Sequence, residues 1–313
     1  MPIVSIRHRT TYRYRNPVAF GEHRVMYRPL ESLDQRVIQA GLEIGPEPAL
    51  LRHVQDATGA VAAVARFATR ARQLEFESQV IVGHTPGAAF DLETDRWAIG
   101  AEPFVYDSGD AADLARDLAP RHPDGTGDLA AWANRFLRPV GRTRLTTLLS
   151  DMTHAIRADF TYGKRLEGPP QTPVETLARR GGSCRDYAVL MVEAARGLGL
   201  AARFTSGYVY SSSTKDGSGS AKDGRTGAGH THAWVRVYLP DCGWTDFDPT
   251  NGIIGNHDLI RVAEVADPRS AVPLHGTWSG LSSDFLGMDV EVDVTISGAA
   301  VQPASHLRVA QGR

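Results

Sequence analysis

From Ile3 to about Val82 apolar and polar side chains alternate at a period of two. Val4-Ser5-Ile6-Arg7, Thr11-Tyr12-Arg13-Tyr14 and Leu74-Glu75-Phe76-Glu77-Ser78-Gln79-Val80-Ile81-Val82 follow this pattern, which predicts strands with one face packed and one wet. Asn16-Pro17 and Gly45-Pro46 punctuate them as turns. Short strands separated this way predict antiparallel pairing in a sandwich or meander. The stretch from Ala57 to Ala71 fits strand and helix spacing equally well.

The period then changes. Residues from about Thr85 to Gly141 are rich in Pro, Gly, Asp and Ala, with a short helical pattern over Asp128–Phe136, and predict a bridging segment. Between Arg142 and Phe160, residues Leu145, Leu148, Leu149, Met152, Ile156 and Phe160 recur at helical spacing and predict one buried stripe. Signals for helix, helix, strand, strand, strand follow to about Pro249, an α+β pattern of helices stacked on an antiparallel sheet. The segment Ser211–Gly229 is Ser, Gly, Lys and Asp with almost no apolar content, so it predicts an exposed loop, placed where either a lid or an ordinary solvated connection would sit. Met288–Ile296 alternates again and predicts a final strand. The divisions expected are a β-rich N-terminal domain over 1–84, a bridge over 85–141, a core over 142–265 and a tail over 266–313.

A formal net charge of −2 gives no sequence-wide attraction to phosphate backbones or anionic lipid. Neither nucleic acid nor a membrane is therefore an expected partner. No stretch reaches the ~20 apolar residues of a membrane helix, and the opening has no apolar run behind its basic residues. The expected location is cytoplasmic. Cys184 and Cys242 are too few for a disulfide framework, so each thiol needs its own explanation.

The densest chemical signal is Arg180-Gly181-Gly182-Ser183-Cys184-Arg185-Asp186-Tyr187. Ser183 with Asp186 three positions on reads as a capping-box variant that starts a helix, and Gly197 and Gly199 mark its end. Cys184 then takes the first helical position, where free N–H groups and the positive dipole end favour thiolate over thiol. Gly181 and Gly182 would let a substrate carbonyl approach the sulfur, and the Cys184 N–H could help form an oxyanion hole. Upstream, Thr172-Pro173-Val174-Glu175 is a second helix start.

Gly229-His230-Thr231-His232-Ala233-Trp234-Val235-Arg236-Val237-Tyr238-Leu239 reads as a strand, and Gly243-Trp244-Thr245-Asp246-Phe247-Asp248-Pro249-Thr250 as its hairpin partner. Counted outward from Pro240, His232 and Asp248 stand opposite each other. A carboxylate beside the imidazole fixes its tautomer and leaves the other nitrogen for a thiol, the Cys-His-acid form of nucleophilic catalysis. His230 rivals His232 as base, and Asp246 rivals Asp248. Asp246 is otherwise expected to be a solvated carboxylate.

Gly182-Ser183-Cys184, His232-Ala233-Trp234 and Asp248-Pro249-Thr250, in this order, resemble the transglutaminase-like superfamily. The segment His8-Arg9-Thr10-Thr11-Tyr12-Arg13-Tyr14 resembles the β-rich region that precedes this core in a bacterial branch, and Pro268 to Ile296 looks like that branch's tail. The resemblance implies a papain-like core behind a β-sandwich-like N-terminal domain, with Cys184 as nucleophile, His232 as base and acid, and Asp248 as the residue that orients it. It implies acyl transfer on peptide or protein amides through a thioester, ending in hydrolysis or in transamidation; a non-catalytic peptide-binding module is the alternative class.

The remaining candidates carry plainer readings. Cys242, in a Pro-Asp-Cys-Gly turn, is expected to be incidental. Trp234 and Trp244 are expected to pack the hairpin, with the acyl pocket as the other possibility, and Tyr162 is expected either in the core or at the substrate. His230-x-His232 has the look of a metal pair, but no recognised ligand spacing accompanies it. No phosphate-binding glycine loop or zinc ligand set calls for a cofactor.

Overall fold

The structure, a computed structural model, describes residues 2–87, 97–165, 168–210, 226 and 229–297. Five strands open the chain: β1 (Ile3–Val25), β2 (Gln35–Gly45), β3 (Leu50–Gln55), β4 (Val61–Arg66) and β5 (Arg70–His84). They pair in the order β2-β5-β1-β4-β3, every contact antiparallel. β1 runs for 23 residues and cannot stay flat; its register against β5 shifts between Arg13 and Val18. Irregularities of this kind bend a strand and tighten its twist. One sheet thus curls on itself into a sandwich-like body, with Tyr14, Val18, Phe20 and Val25 packed around Leu74 and Phe76. The ambiguous Ala57–Ala71 stretch contains β4, whose residues Ala62 to Ala65 are all buried. Cover on both faces removes the alternation that would have marked it as a strand.

The core follows. β6 (Ala98–Ile99), α1 (Ser108–Asp113), α2 (Ala115–Leu118) and α3 (Asp128–Asn134) lead to β7 (Thr143–Arg144), which pairs with β6. Then come α4 (Leu145–Asp159), β8 (Thr161–Tyr162), α5 (Pro173–Arg179), β9 (Gly181–Gly182) and α6 (Cys184–Gly197). The core sheet comprises β10 (Ala202–Val209), β11 (His232–Leu239), β12 (Gly243–Asp248), β13 (Ile253–Ile254) and β14 (Leu259–Val265). Its order is β13-β12-β11-β10-β14, and α6 lies across β10 and β11. The apolar stripe of α4, Leu145, Leu148, Leu149, Met152 and Ile156, is fully buried in the same cluster as Leu190 and Met191 of α6. The fold is α+β, a transglutaminase-like core of helices on an antiparallel sheet behind a curled β-region.

The tail returns to the beginning. β15 (Leu274–Ser279) and β16 (Phe285–Ser297) both pair antiparallel with β1, β16 in a ladder from Ile3↔Ser297 to Tyr14↔Phe285. β1 is therefore flanked by β5 on one side and by β15 and β16 on the other. Polar contacts lock this sheet to the core: Gln35 donates to and accepts from the Arg261 backbone at 2.8 and 2.9 Å. His84 also meets the Tyr210 hydroxyl at 2.8 Å, and Arg261 Nη2 donates to Asp34 at 2.5 Å.

Gly207 shows how tightly the core sheet is drawn together. A Cβ there would sit 1.9 Å from the Ile260 carbonyl oxygen and 2.8 Å from the Trp234 ring, both fixed by the sheet. Gly207→Ala is expected to force β10 and β14 apart and to lower stability by about 1–3 kcal/mol, the usual cost of overpacking. Urea unfolding measures it; an unchanged midpoint would show that the strands have slack there.

Candidate active site

The start of α6 is built around a buried carboxylate. Asp186 accepts from the Ser183 N–H at 2.7 Å and its hydroxyl at 2.8 Å, from Arg165 Nη2 at 2.5 Å and from the Gln171 N–H at 2.7 Å. Four donors on an ionised acceptor make a rigid N-terminus. Cys184 is the first residue of the helix, so its own N–H has no intrahelical acceptor.

The two preceding glycines have a different cause from the substrate access expected of them. A Cβ on Gly181 would lie 2.8 Å from the Thr161 carbonyl across the parallel β8–β9 pair, and one on Gly182 would lie 2.8 Å from the Asp186 side chain. The glycines let backbone and cap close up behind Cys184.

His232 opens β11 and is buried, with 1% of its surface exposed. Its Nε2 lies 2.8 Å from Asp248 Oδ2 at the end of β12. Asn251 Nδ2 donates to the same oxygen at 2.8 Å, while the Thr250 N–H donates to Asp248 Oδ1 at 2.9 Å. An ionised carboxylate only accepts, so Nε2 carries the hydrogen and Nδ1 is the nitrogen left for another partner. Nδ1 has no hydrogen-bond partner among the described residues, and Cys184, which lines the same cavity, helps to raise the pKa of the ring. The three residues are thus brought together, with His232 in the middle.

The hairpin achieves this in a register offset from the expected one. Leu239 pairs with Gly243 and Arg236 with Asp246, so the turn is three residues long and centred on Asp241, whose φ is +67°. The centre moves one residue from Pro240, and His232 and Asp248 become diagonal neighbours instead of direct ones. Diagonal side chains on one face stay within reach.

Electrostatics separates the two acids. Burial opposes a charge on His232, but the Asp248 carboxylate, through charge and hydrogen bond, and then Cys184 outweigh it and raise its pKa to about 10. Burial likewise opposes ionisation of Asp248, but His232, Asn251 and the Thr250 N–H hold its carboxyl below the usual range. Asp246 is shifted the other way: burial pushes it up, against the pull of Arg236 and Arg261. It is not solvated as expected, being 3% exposed, with the Trp234 indole donating to it at 2.7 Å and Arg261 standing 3.4 Å away. The interior of this sheet holds a whole layer of charges, which alternation alone does not reveal.

The other candidates fall in distinct places. His230 precedes β11, with Nε2 2.5 Å from Lys164 Nζ. Among the described residues no group of three or more His, Cys, Asp or Glu side chains is placed to hold a metal ion. Cys242 is exposed in the turn, Trp234 is fully buried, and Trp244 lies under Arg203 at 3.9 Å. The loop over 211–229 lies outside the described residues except for Thr226 and Gly229. Thr226 exchanges hydrogen bonds with Asn251 at 2.8 and 3.0 Å.

A cavity of about 400 Å³ opens over Cys184 and His232. Tyr162 lines it from the core, His8, Thr10 and Tyr27 from the first sheet, and Met288 and Val290 from β16. Sequence reasoning missed Asn251 and, Tyr162 apart, these wall residues. Asn251 directly follows the Asp248-Pro249-Thr250 turn and was open to suspicion; nothing local marks His8 or Val290, which the curled sheet carries in from the chain's two ends.

Comparison with known proteins agrees with this fold. Residues 4–83 match the bacterial transglutaminase-like N-terminal region and residues 133–249 match the transglutaminase-like superfamily. An uncharacterized protein of Mycobacterium tuberculosis is 31% identical over 297 residues, 92% of this chain and 91% of that protein. One from Mycobacterium leprae is 29% identical over 136 residues, 44% of this chain and 46% of the other. A solved structure from Cytophaga hutchinsonii, bearing the name "Putative Cysteine Protease", shares the fold with a TM-score of 0.67 at 18% identity. The alignment covers 96% of this chain and 93% of that one.

The balance of forces on His232 gives a signed expectation. Asp248→Asn removes the largest of the influences that raise its pKa and leaves burial, which lowers it, opposed by Cys184 alone, so the imidazole midpoint should fall well below about 10. Nitrogen-15 NMR of labelled histidine reads this directly, and a midpoint still above 8 would show that Asp248 is not the dominant partner.

Proposed function

The chain belongs to the transglutaminase-like superfamily, and we propose that it is a cysteine-dependent acyl-transfer enzyme acting on peptide or protein amides. The observation that carries the proposal is the pairing of His232 Nε2 with Asp248 at 2.8 Å, which leaves Nδ1 on the Cys184 side under a cavity. In this reading His232, kept protonated at neutral pH by its raised pKa, already holds the Cys184 proton at Nδ1, and the sulfur attacks the amide carbonyl as a thiolate. The Cys184 N–H, free as the first of its helix, is one donor to the oxyanion. His232 returns its proton to the departing amine, a thioester remains on Cys184, and water activated by His232 releases the acid. Asp248 and Asn251 hold the ring in position throughout.

Hydrolysis is proposed over transamidation because a thioester reached by water hydrolyses unless a bound amine competes. A non-catalytic peptide-binding role is disfavoured because all three residues are retained, with imidazole and carboxylate paired at 2.8 Å and Cys184 lining the same cavity as His232.

A glutamine-containing peptide incubated with a labelled primary amine should yield free acid and ammonia, with little label incorporated. Incorporation without free acid would replace the hydrolase by a transamidase. Cys184→Ala should lower turnover by about 10³-fold or more, in line with the loss of a nucleophile. At neutral pH iodoacetamide should modify Cys184 faster than a model thiol; a rate at or below that of the model thiol would favour the binding module.

A further inference from the structure

The cavity over Cys184 and His232 has an uneven chemistry. Much of its wall is apolar or aromatic, from Val272, Leu274, Met288 and Val290 together with the tyrosine rings. Its charged side chains are all cationic: Lys164, Arg165, Arg185 and Arg269 line it, and no Asp or Glu does so among the described residues. Two of these charges are already matched, Arg165 by Asp186 at 2.5 Å and Arg269 by Asp267 at 2.6 Å. Lys164 pairs with no carboxylate among the described residues, and its Nζ instead lies 2.5 Å from His230 Nε2.

That contact fixes His230. An ammonium only donates, so Nε2 must accept and the ring's hydrogen sits on Nδ1. Nδ1 is shielded from solvent and has no hydrogen-bond partner among the described residues. Burial, and after it the Lys164 charge, pushes the His230 pKa down, in keeping with a neutral ring. The residue is thus a neutral donor beside a cation, with nothing among the described residues to receive its hydrogen.

The first sheet brings a second donor. Tyr208 Oη meets His8 Nδ1 at 3.0 Å, His8 Nε2 meets Thr10 Oγ1 at 3.3 Å, and Thr10 Oγ1 meets Tyr27 Oη at 2.8 Å, all of them buried. A neutral imidazole donates from one nitrogen and accepts at the other, and where Thr10 gives its one hydrogen to a neighbour in the chain the bonds run in one of two directions. Run toward Tyr208, it strands a hydroxyl hydrogen at a fully buried phenol that is not among the cavity-lining residues. Run toward Tyr27, it delivers that hydrogen to a phenol that lines the cavity. The second direction avoids an unsatisfied buried donor.

An apolar-walled cavity offering a cation and two unmatched donors, with no acid of its own, suits an anionic ligand. We infer that the acyl donor carries a carboxylate beside the amide presented to Cys184, bound by Lys164 and His230, while Tyr27 donates to a carbonyl oxygen of the same ligand. This rests on the acyl-transfer reading of the same cavity, since it names the donor's chemistry. The first sheet then acts as a recognition element as well as a cover.

The test is equilibrium binding by calorimetry at low ionic strength, on the full chain with Cys184→Ala so that no ligand is consumed. Two blocked peptides, N-acetyl-Ala-Glu-Gly-amide and N-acetyl-Ala-Gln-Gly-amide, differ by one carboxylate. The glutamyl peptide should bind about tenfold more tightly, as one charge-assisted contact provides. Adding Lys164→Met should bring the two affinities within about twofold, and Lys164→Arg should keep most of the difference. Lys164 is exposed, so the protein tolerates either change. Equal affinities for the two peptides, no binding of either, or a preference untouched by Lys164→Met overturns the inference. Turnover of the same peptides by the chain with Cys184 intact separates the two claims. Selective binding without cleavage or amine incorporation removes the acyl-transfer reading alone, whereas cleavage without preference removes the carboxylate site alone.

Discussion

The ion pair between His232 and Asp248 is the constraint around which the core is arranged. Both side chains are fully buried, 2.8 Å apart. A lone charge in that position would cost several kcal/mol, so each is tolerable only in the company of the other and of further hydrogen bonds. Asn251 and the Thr250 N–H supply those bonds to the carboxylate, and their places in the turn after β12 follow from that need. The same pairing takes up Nε2 and leaves Nδ1 as the nitrogen open to another partner. A requirement of burial thereby becomes a geometry for chemistry.

A second layer of buried charge lies two residues away and serves another purpose. Asp246 receives the Trp234 indole and stands among Arg236, at 3.3 Å, and Arg261, at 3.4 Å. Arg261 reaches on to Asp34 just ahead of β2, and Arg236 to Glu264. This network ties the first sheet to the hairpin that carries His232. Two aspartates on one strand face thus differ in role because their surroundings differ: two guanidinium groups fix one in the scaffold, and an imidazole makes the other a candidate partner in proton transfer.

The cavity shows why the two parts of the molecule form one unit. β1 lies between β5 and β16, so the first and last described strands stand side by side, and together they wall the space over Cys184. Residues as distant in sequence as His8 and Val290 share a surface because antiparallel ladders fix both strands to β1's register. Gln35 and Asp34 anchor that sheet to Arg261 on β14, so the wall and the hairpin keep a set distance.

What the sequence by itself determined was local. The alternation of the β-rich start, the apolar stripe of α4, the Asp186 cap ahead of Cys184 and the Trp234 and Asp248 strands follow from spacing and capping chemistry, which act over a few residues. The order Cys184, His232, Asp248 was legible for the same reason. Tertiary structure alone decided the hairpin register, because nothing in Pro240-Asp241-Cys242-Gly243 says whether the turn centres on residue 240 or 241. It alone decided that Asp246 is buried, since the arginines that hold it come from other strands, and that Gly181 and Gly182 are small because Thr161 and Asp186 press against them. It alone brought His8, Tyr27 and Val290 to the candidate site, through pairings between chain ends that no short-range signal can encode.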